Sequence, residues 1–169
     1  MSAADILVIS DTHGNAEAVR TLLERYSGIV SAVIHLGDNV KDIAPFAKEG
    51  KDGIIYHIVN GNTDPPAEAY NERVIDIAGK RIFITHGHHF GVKTFLSVLE
   101  DKAKDLQVDA CLFGHTHAAV TFESDGILFL NPGSTTAPAI NHSRGYALLR
   151  ITEEGAMKAM LFDSKALPL

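Results

Sequence analysis

A single cysteine, Cys111, is all the thiol this 169-residue chain contains. A disulfide within the chain is therefore excluded, and so is a zinc site built on several thiolates. Tryptophan is absent, and aromatic residues make up only 7%. Basic excess is lacking too. Lys and Arg number 15 against 21 Asp and Glu, a formal net charge of −6. A general nucleic-acid or membrane-surface binder usually carries the opposite balance, so no nucleic-acid partner is expected. No apolar run approaches the roughly 18 residues that a membrane span requires. The opening stretch MSAADILVISDTHG has no basic segment ahead of its short apolar run, and it does not read as a signal peptide. Low-complexity tracts, charge blocks and fixed-period repeats are missing as well. These absences point to a reducing, cytoplasmic setting with no membrane partner.

What is present is 46% hydrophobic residues in a length suited to one core, so one domain over residues 1–169 is expected. ADILVIS (4–10) reads as a buried strand, followed by polar DTHGN. From Ala16, the apolar residues Ala16, Val19, Leu22, Leu23 and Tyr26 fall on one helical face. SAVIHLGD (31–38) and GIIYHIVNGNTD (53–64) read as two more strands with polar ends. Pro45 allows only a short helix between them. Two strands then meet at Gly79-Lys80, and helical spacing follows over 92–106, with Phe95, Val98 and Leu99 as core. VDACLFGHTH is a further strand, and hairpins are expected at Asp125-Gly126 and near Glu154-Gly155. The pattern predicts an α/β protein with parallel pairing early and antiparallel pairing late.

Five times a hydrophobic strand runs into a compact polar cluster: DTHG (11–14), GDN (37–39), GNTD (61–64), HGHH (86–89) and GHTH (114–117). Ligands of open α/β sheets bind beyond the carboxyl ends of strands. Gathered on one edge, these ends bring together Asp11, His13, Asp38, Asn62, His86, His115 and His117. GHTH carries a geometric demand of its own. Histidines at i and i+2 of an extended strand point to opposite faces, so the chain must turn there, and Gly114 permits the turn.

Carboxylate and imidazole together suit first-row divalent metals such as Mn, Fe, Ni or Zn. Seven protein ligands exceed what one such ion takes, so two ions sharing a carboxylate is the economical reading. Such a pair suits in-line displacement at phosphorus, with a bridging hydroxide as nucleophile. Taken singly, each cluster has a plainer explanation: a helix N-cap, an ordinary turn or solvated histidines. Their recurrence at one structural phase is what points to a site.

These five motifs, in this order, resemble the signature of the calcineurin-like metallophosphoesterases, and the small YfcE-type phosphodiesterase branch in particular. The resemblance spans about Ile6 to Ser134, with NPGS (131–134) as a further shared loop. It implies two mixed β-sheets packed as a sandwich and flanked by helices, four layers in all, with metals at strand ends on one edge. It implies that Asp11, His13 and His117 hold one ion, that Asn62, His86 and His115 hold the other, and that Asp38 bridges them. Asp38, Asn62 and His86 are then the catalytic set. Two divalent ions are the implied cofactor, manganese first, with Ni, Zn or Fe as alternatives.

One position departs from the wider superfamily, where a histidine often stands in place of Thr63. Thr63 does not act as a general acid near neutral pH, so a small phosphodiester is the expected substrate. Two other readings stand beside it: a phosphomonoesterase or nucleotide phosphatase, and an interaction scaffold like the retromer subunit Vps29. Asp64 is either a hydrogen-bonding brace or a plain turn residue. His88 and His89 are read as loop histidines that contact substrate or solvent, His35 and His57 as core histidines or supports behind the site, and His142 as solvated or loosely facing substrate. Asn131 to Ser134 form a structural turn. The hairpin edges of the second half leave a homo-oligomer open.

Overall fold

The computed structural model describes residues 2–49, 53–66 and 68–163. Its strands are β1 (Ala4–Ile9), β2 (Ala32–His35), β3 (Ile55–Ile58), β4 (Glu72–Ile77), β5 (Lys80–Thr85), β6 (Ala110–Leu112), β7 (Val120–Ser124), β8 (Ile127–Asn131), β9 (Gly145–Ile151) and β10 (Met157–Asp163). The helices are α1 (Ala16–Arg25), α2 (Ala44–Glu49) and α3 (Ser97–Asp105). One sheet runs β10-β9-β1-β2-β3 and the other β4-β5-β6-β8-β7.

Strand alternation builds the layers. Ile6 and Val8 of β1 join Ile34 of β2, Ile82 and Ile84 of β5, Leu112 of β6 and Leu149 of β9 in the core between the sheets. Their neighbours face outward: Leu7, Ile9 and Val33 pack on Val19, Leu22 and Leu23 of α1. On the opposite flank, Phe83, Cys111, Phe113 and Phe129 pack on Leu99 and Ala103 of α3. Period-2 side chains buried on both faces are why these strands read as continuous apolar runs. The result is a metallophosphatase-like α/β sandwich of two mixed sheets, with helices outside. Cys111 is a buried hydrophobe, and burial pushes its thiol pKa up.

Three expectations need correction. Parallel pairing is not confined to the first half, because β5–β6 and β6–β8 are parallel as well. Helical spacing over 92–106 becomes a helix only from Ser97, since Gly91 adopts φ +64 and residues 91–94 form turns. Of the residues read as core there, Leu99 is buried, but Phe95 and Val98 are 69% and 56% exposed. Phe95 precedes α3, and Val98 lies off the face on which Leu99 and Ala103 are buried. The two expected hairpins form, with Asp125 and Gly126 both at positive φ in the β7–β8 turn.

The placement that matters is at the strand ends. β1, β2 and β3 are parallel neighbours, and their carboxyl ends lead into Asp11, Asp38 and Asn62. β5 and β6 are parallel neighbours in the other sheet, leading into His86 and His115. The loops are stitched directly: the Asp11 N–H donates to Gly37 O at 2.9 Å, and the Gly114 N–H to His86 O at 3.1 Å.

Candidate metal centre

All seven residues singled out from the sequence converge at this one end of the sandwich. The ligand atoms of Asp11, His13, Asp38 and His117 lie within 4.8 Å of one another. His117 Nε2 is 3.0 Å from Asp11 Oδ1, and His13 Nε2 is 3.3 Å from His117 Nε2 and 3.8 Å from Asp38 Oδ2. Beside this group, His86 Nε2 stands 3.2 Å from Asn62 Oδ1, 3.2 Å from His115 Nδ1 and 3.5 Å from Asp38 Oδ1. Asp38 thus touches both groups, one through each oxygen.

The backbone explains how short motifs supply so many ligands. Asp11, His13, Asp38, His115 and His117 all adopt left-handed conformations, with φ of 55°, 46°, 62°, 67° and 58°. Each such non-glycine residue costs on the order of 1–3 kcal/mol and persists only where surrounding contacts impose it. The turn at GHTH is therefore made by the histidines themselves. Gly114 serves another purpose, since its φ is not positive: a Cβ there would sit 2.1 Å from Ser10 Oγ and 3.0 Å from Asp11 Oδ2. Gly61 is constrained likewise, because a Cβ would meet Asp38 Oδ1 at 2.1 Å.

Hydrogen bonds behind the site fix its donors and acceptors. His86 Nδ1 bonds to Leu36 O at 2.7 Å, and His117 Nδ1 bonds to Ala137 O. A carbonyl only accepts, so each ring carries a proton on Nδ1, and in the neutral form it turns an Nε2 lone pair into the site. His86 Nε2 then faces the oxygens of Asn62 and Asp38 acceptor to acceptor. Ser10 Oγ and the His115 N–H donate to Asp11 Oδ2, while Asp11 Oδ1 is buried and has only His117 Nε2, at 3.0 Å, as a polar neighbour within hydrogen-bonding distance. Lone pairs converging on one another at these distances repel unless a cation sits among them. Imidazole with a carbonyl or carboxylate behind it is also the usual arrangement of a metal-ligating histidine. The donor set therefore fits divalent metal.

Electrostatics agrees. Burial would raise the Asp11 pKa, but hydrogen bonding with His117 and the charges of His86 and His117 outweigh it, and the net shift is downward. His117 is raised, chiefly by its hydrogen bond to Asp11. His115 is pushed down to about 4 by burial and by His86 and Lys93.

The structure decides several residues that the sequence left open. Asp64 is a brace: its carboxylate accepts the N–H groups of Asp38, Asn39, Val40 and Gly61, each at 2.8 Å. The Thr63 N–H donates to Asp38 Oδ1 at 3.0 Å. Asn131 Nδ2 donates to Gly114 O and Thr116 Oγ1, and Ser134 Oγ donates to Asp11 O, so the NPGS turn holds two metal loops. The first helix is capped by Asn15, whose side chain accepts from the Ala18 N–H, which frees Asp11 from that role. His35 is fully buried, while His57 is half-buried on the edge strand β3. The ring of His88 lies 5.4 Å from that of His86, whereas His89 and His142 are exposed.

Two residues went unnoticed in the sequence. Asp42 Oδ2 accepts from Thr12 Oγ1 at 2.7 Å and from the Gly14 N–H at 2.9 Å, pinning the DTHG loop. Ser10 supports Asp11. Neither carries a local signal beyond being polar beside a motif.

Residues 5–154 match the model of the calcineurin-like phosphoesterase superfamily domain. A probable metallophosphoesterase of Bacillus subtilis, YsnB, is 32% identical over 152 residues, covering 90% of this chain and 87% of its own. The phosphodiesterase MJ0936 of Methanocaldococcus jannaschii is 32% identical over 143 residues, 75% of this chain and 81% of its own. Among solved structures, wild-type Vps29 of Entamoeba histolytica complexed with zinc superposes with a TM-score of 0.74 at 26% identity, covering 95% and 99% of the two chains.

Proposed function

The chain belongs to the calcineurin-like phosphoesterase superfamily, and from that premise we propose that this phosphoric ester hydrolase is a two-metal phosphodiesterase. Asp11, His13 and His117 would hold one ion and Asn62, His86 and His115 the other, with Asp38 shared between the two groups. The observation that carries the reading is the acceptor-to-acceptor meeting of His86 Nε2 with Asn62 Oδ1 and Asp38 Oδ1, at 3.2 and 3.5 Å. Manganese is the first choice, with nickel, zinc and iron admitted by the same ligands. When bound, such ions supply Lewis-acid charge at phosphorus and water of lowered pKa.

The chain's own residues do the positioning. Leu36 O and Ala137 O hold two imidazoles in the tautomer that presents Nε2. Asp64 clamps the Asp38 and Gly61 loops so that Asp38 and Asn62 keep their separation. Thr63 is exposed and offers only a hydroxyl where an acid would protonate a poor leaving group. A diester with a leaving group stable as an anion is the favoured substrate over a monoester. The intact set of seven donors favours catalysis over a purely scaffolding role. The same reading takes the chain as one cytoplasmic domain acting on a small phosphodiester.

The test compares bis-para-nitrophenyl phosphate with para-nitrophenyl phosphate, in wild type and in Asp38→Asn and His86→Ala. Diester hydrolysis exceeding monoester hydrolysis, lost in both variants together with bound metal while the fold survives, is the expected result. Full activity in either variant refutes it.

A further inference from the structure

Beside the His115–Thr116–His117 turn lies a pocket of about 500 Å³ that the metal ligands do not use. That volume falls within the roughly 300–1,000 Å³ of small-molecule sites. Leu96, Phe113, Ala118 and Val120 supply apolar walls, and Lys93 and Thr116 complete the lining. Thr116 brings little polarity of its own, because its hydroxyl accepts from Asn131 Nδ2 at 2.9 Å and from the Ala118 N–H at 3.2 Å. Lys93 is exposed and lines the same pocket as Thr116, the residue between His115 and His117. Among the described residues, the pocket thus combines an apolar interior, one cation and a shared wall with the candidate metal centre.

We propose that this pocket is the substrate's organic-group subsite: it receives an apolar or aromatic ester group, while Lys93 stands beside the phosphate. The inference rests on the phosphodiesterase reading and narrows it to diesters carrying at least one such group. Charge complementarity selects this occupant. An anionic phosphate at the metal centre satisfies Lys93, and a ring continuing from it displaces water from Leu96 and Val120. Burying a ring of phenylalanine size contributes roughly 1.5–3 kcal/mol, enough for a tenfold preference or more.

The test is calorimetric titration of the manganese-loaded protein with phenylphosphonate and methylphosphonate, which share the anion and differ in the ring. Wild type is expected to bind phenylphosphonate about tenfold more tightly. Leu96→Trp and Val120→Trp, both at partly exposed positions that tolerate bulk, are expected to cut that ratio to about threefold or less and leave methylphosphonate nearly unchanged. Lys93→Ala should weaken both ligands by a similar factor and keep the ratio. Equal affinity for the two phosphonates overturns the proposal, and so does a ratio that neither Trp variant moves. Hydrolysis of bis-para-nitrophenyl phosphate is scored separately. If it persists while the ring preference is absent, the pocket assignment fails and the activity stands. If it is absent while the preference holds, the activity fails and the binding site stands.

Discussion

Asn62 Oδ1 and His86 Nε2 face each other across 3.2 Å, while the other ring nitrogen of His86 donates to Leu36 O on the far side. Two loops from two different sheets are thereby aimed at one point. A divalent cation bound between them would be held by both atoms.

His115 and His117 are expected to serve different ions. His115 Nδ1 lies 3.2 Å from His86 Nε2, while His117 Nε2 lies 3.0 Å from Asp11 Oδ1. In the proposed centre, His117→Ala removes the ion beside Asp11 and His13, and His115→Ala removes the one beside Asn62 and His86. Stoichiometry by elemental analysis, with each variant crossed against His13→Ala, reads this directly. His117→Ala and His13→Ala should lower metal content no more together than singly, whereas His115→Ala and His13→Ala should add. The reverse pattern would sink the two-group arrangement.

Asp64 holds four backbone N–H groups, so its removal strands donors in two loops at once. Each stranded donor costs about 1–3 kcal/mol where water does not reach it. Asp64→Ala is expected to lower unfolding stability by roughly 3 kcal/mol and to cost most of the metal affinity. Asp64→Asn, which keeps one acceptor, should fall between the two. Urea titration and metal binding measure both effects. Unchanged metal affinity in Asp64→Ala would mean that the clamp does not position Asp38.

Gly114→Ala should disturb Asp11 through Ser10. The added Cβ overlaps Ser10 Oγ at 2.1 Å, and overpacking of this kind costs about 1–3 kcal/mol. Ser10→Ala in the same chain removes the closest clash and should recover part of the stability, by thermal melt. No recovery would place the strain elsewhere in the turn.

His35 sets an acid limit on the metal-free protein. It is fully buried, it accepts the Gly37 N–H at Nδ1, and burial lowers its pKa from 6.5 to about 4. The depressed value means that the unfolded chain binds a proton that the folded chain refuses between those two pH values. Stability from this group is complete above about 6.5 and is lost as pH falls toward 4, by roughly 3 kcal/mol. His117 acts in the opposite sense. Its raised pKa contributes stability that is present below 6.5 and is lost as pH rises through the folded value. Denaturant midpoints across pH, for wild type and His35→Gln, separate the two. The slope between pH 4 and 6.5 should flatten in His35→Gln, and an unaltered slope would assign the acid limit to other groups.

The sequence by itself determined the strands, the hairpins and the set of polar residues that converge at the strand ends. Apolar runs buried on both faces need no partner to be recognised, and a polar cluster at each strand end is a local pattern. It also located the Asp125-Gly126 turn, because two consecutive left-handed residues call for that kind of pair. Only the tertiary structure decided the rest. Whether GHTH turns at its glycine or at its histidines depends on Ser10 and Asp11, which lie more than a hundred residues away in the chain. The brace at Asp64, the support from Asn131 and Ser134, and the exposure of Phe95 and Val98 depend on which loops the two sheets bring together. Local propensity reports what a segment prefers, whereas the strained φ values of five ligand residues exist because packing between distant segments imposes them.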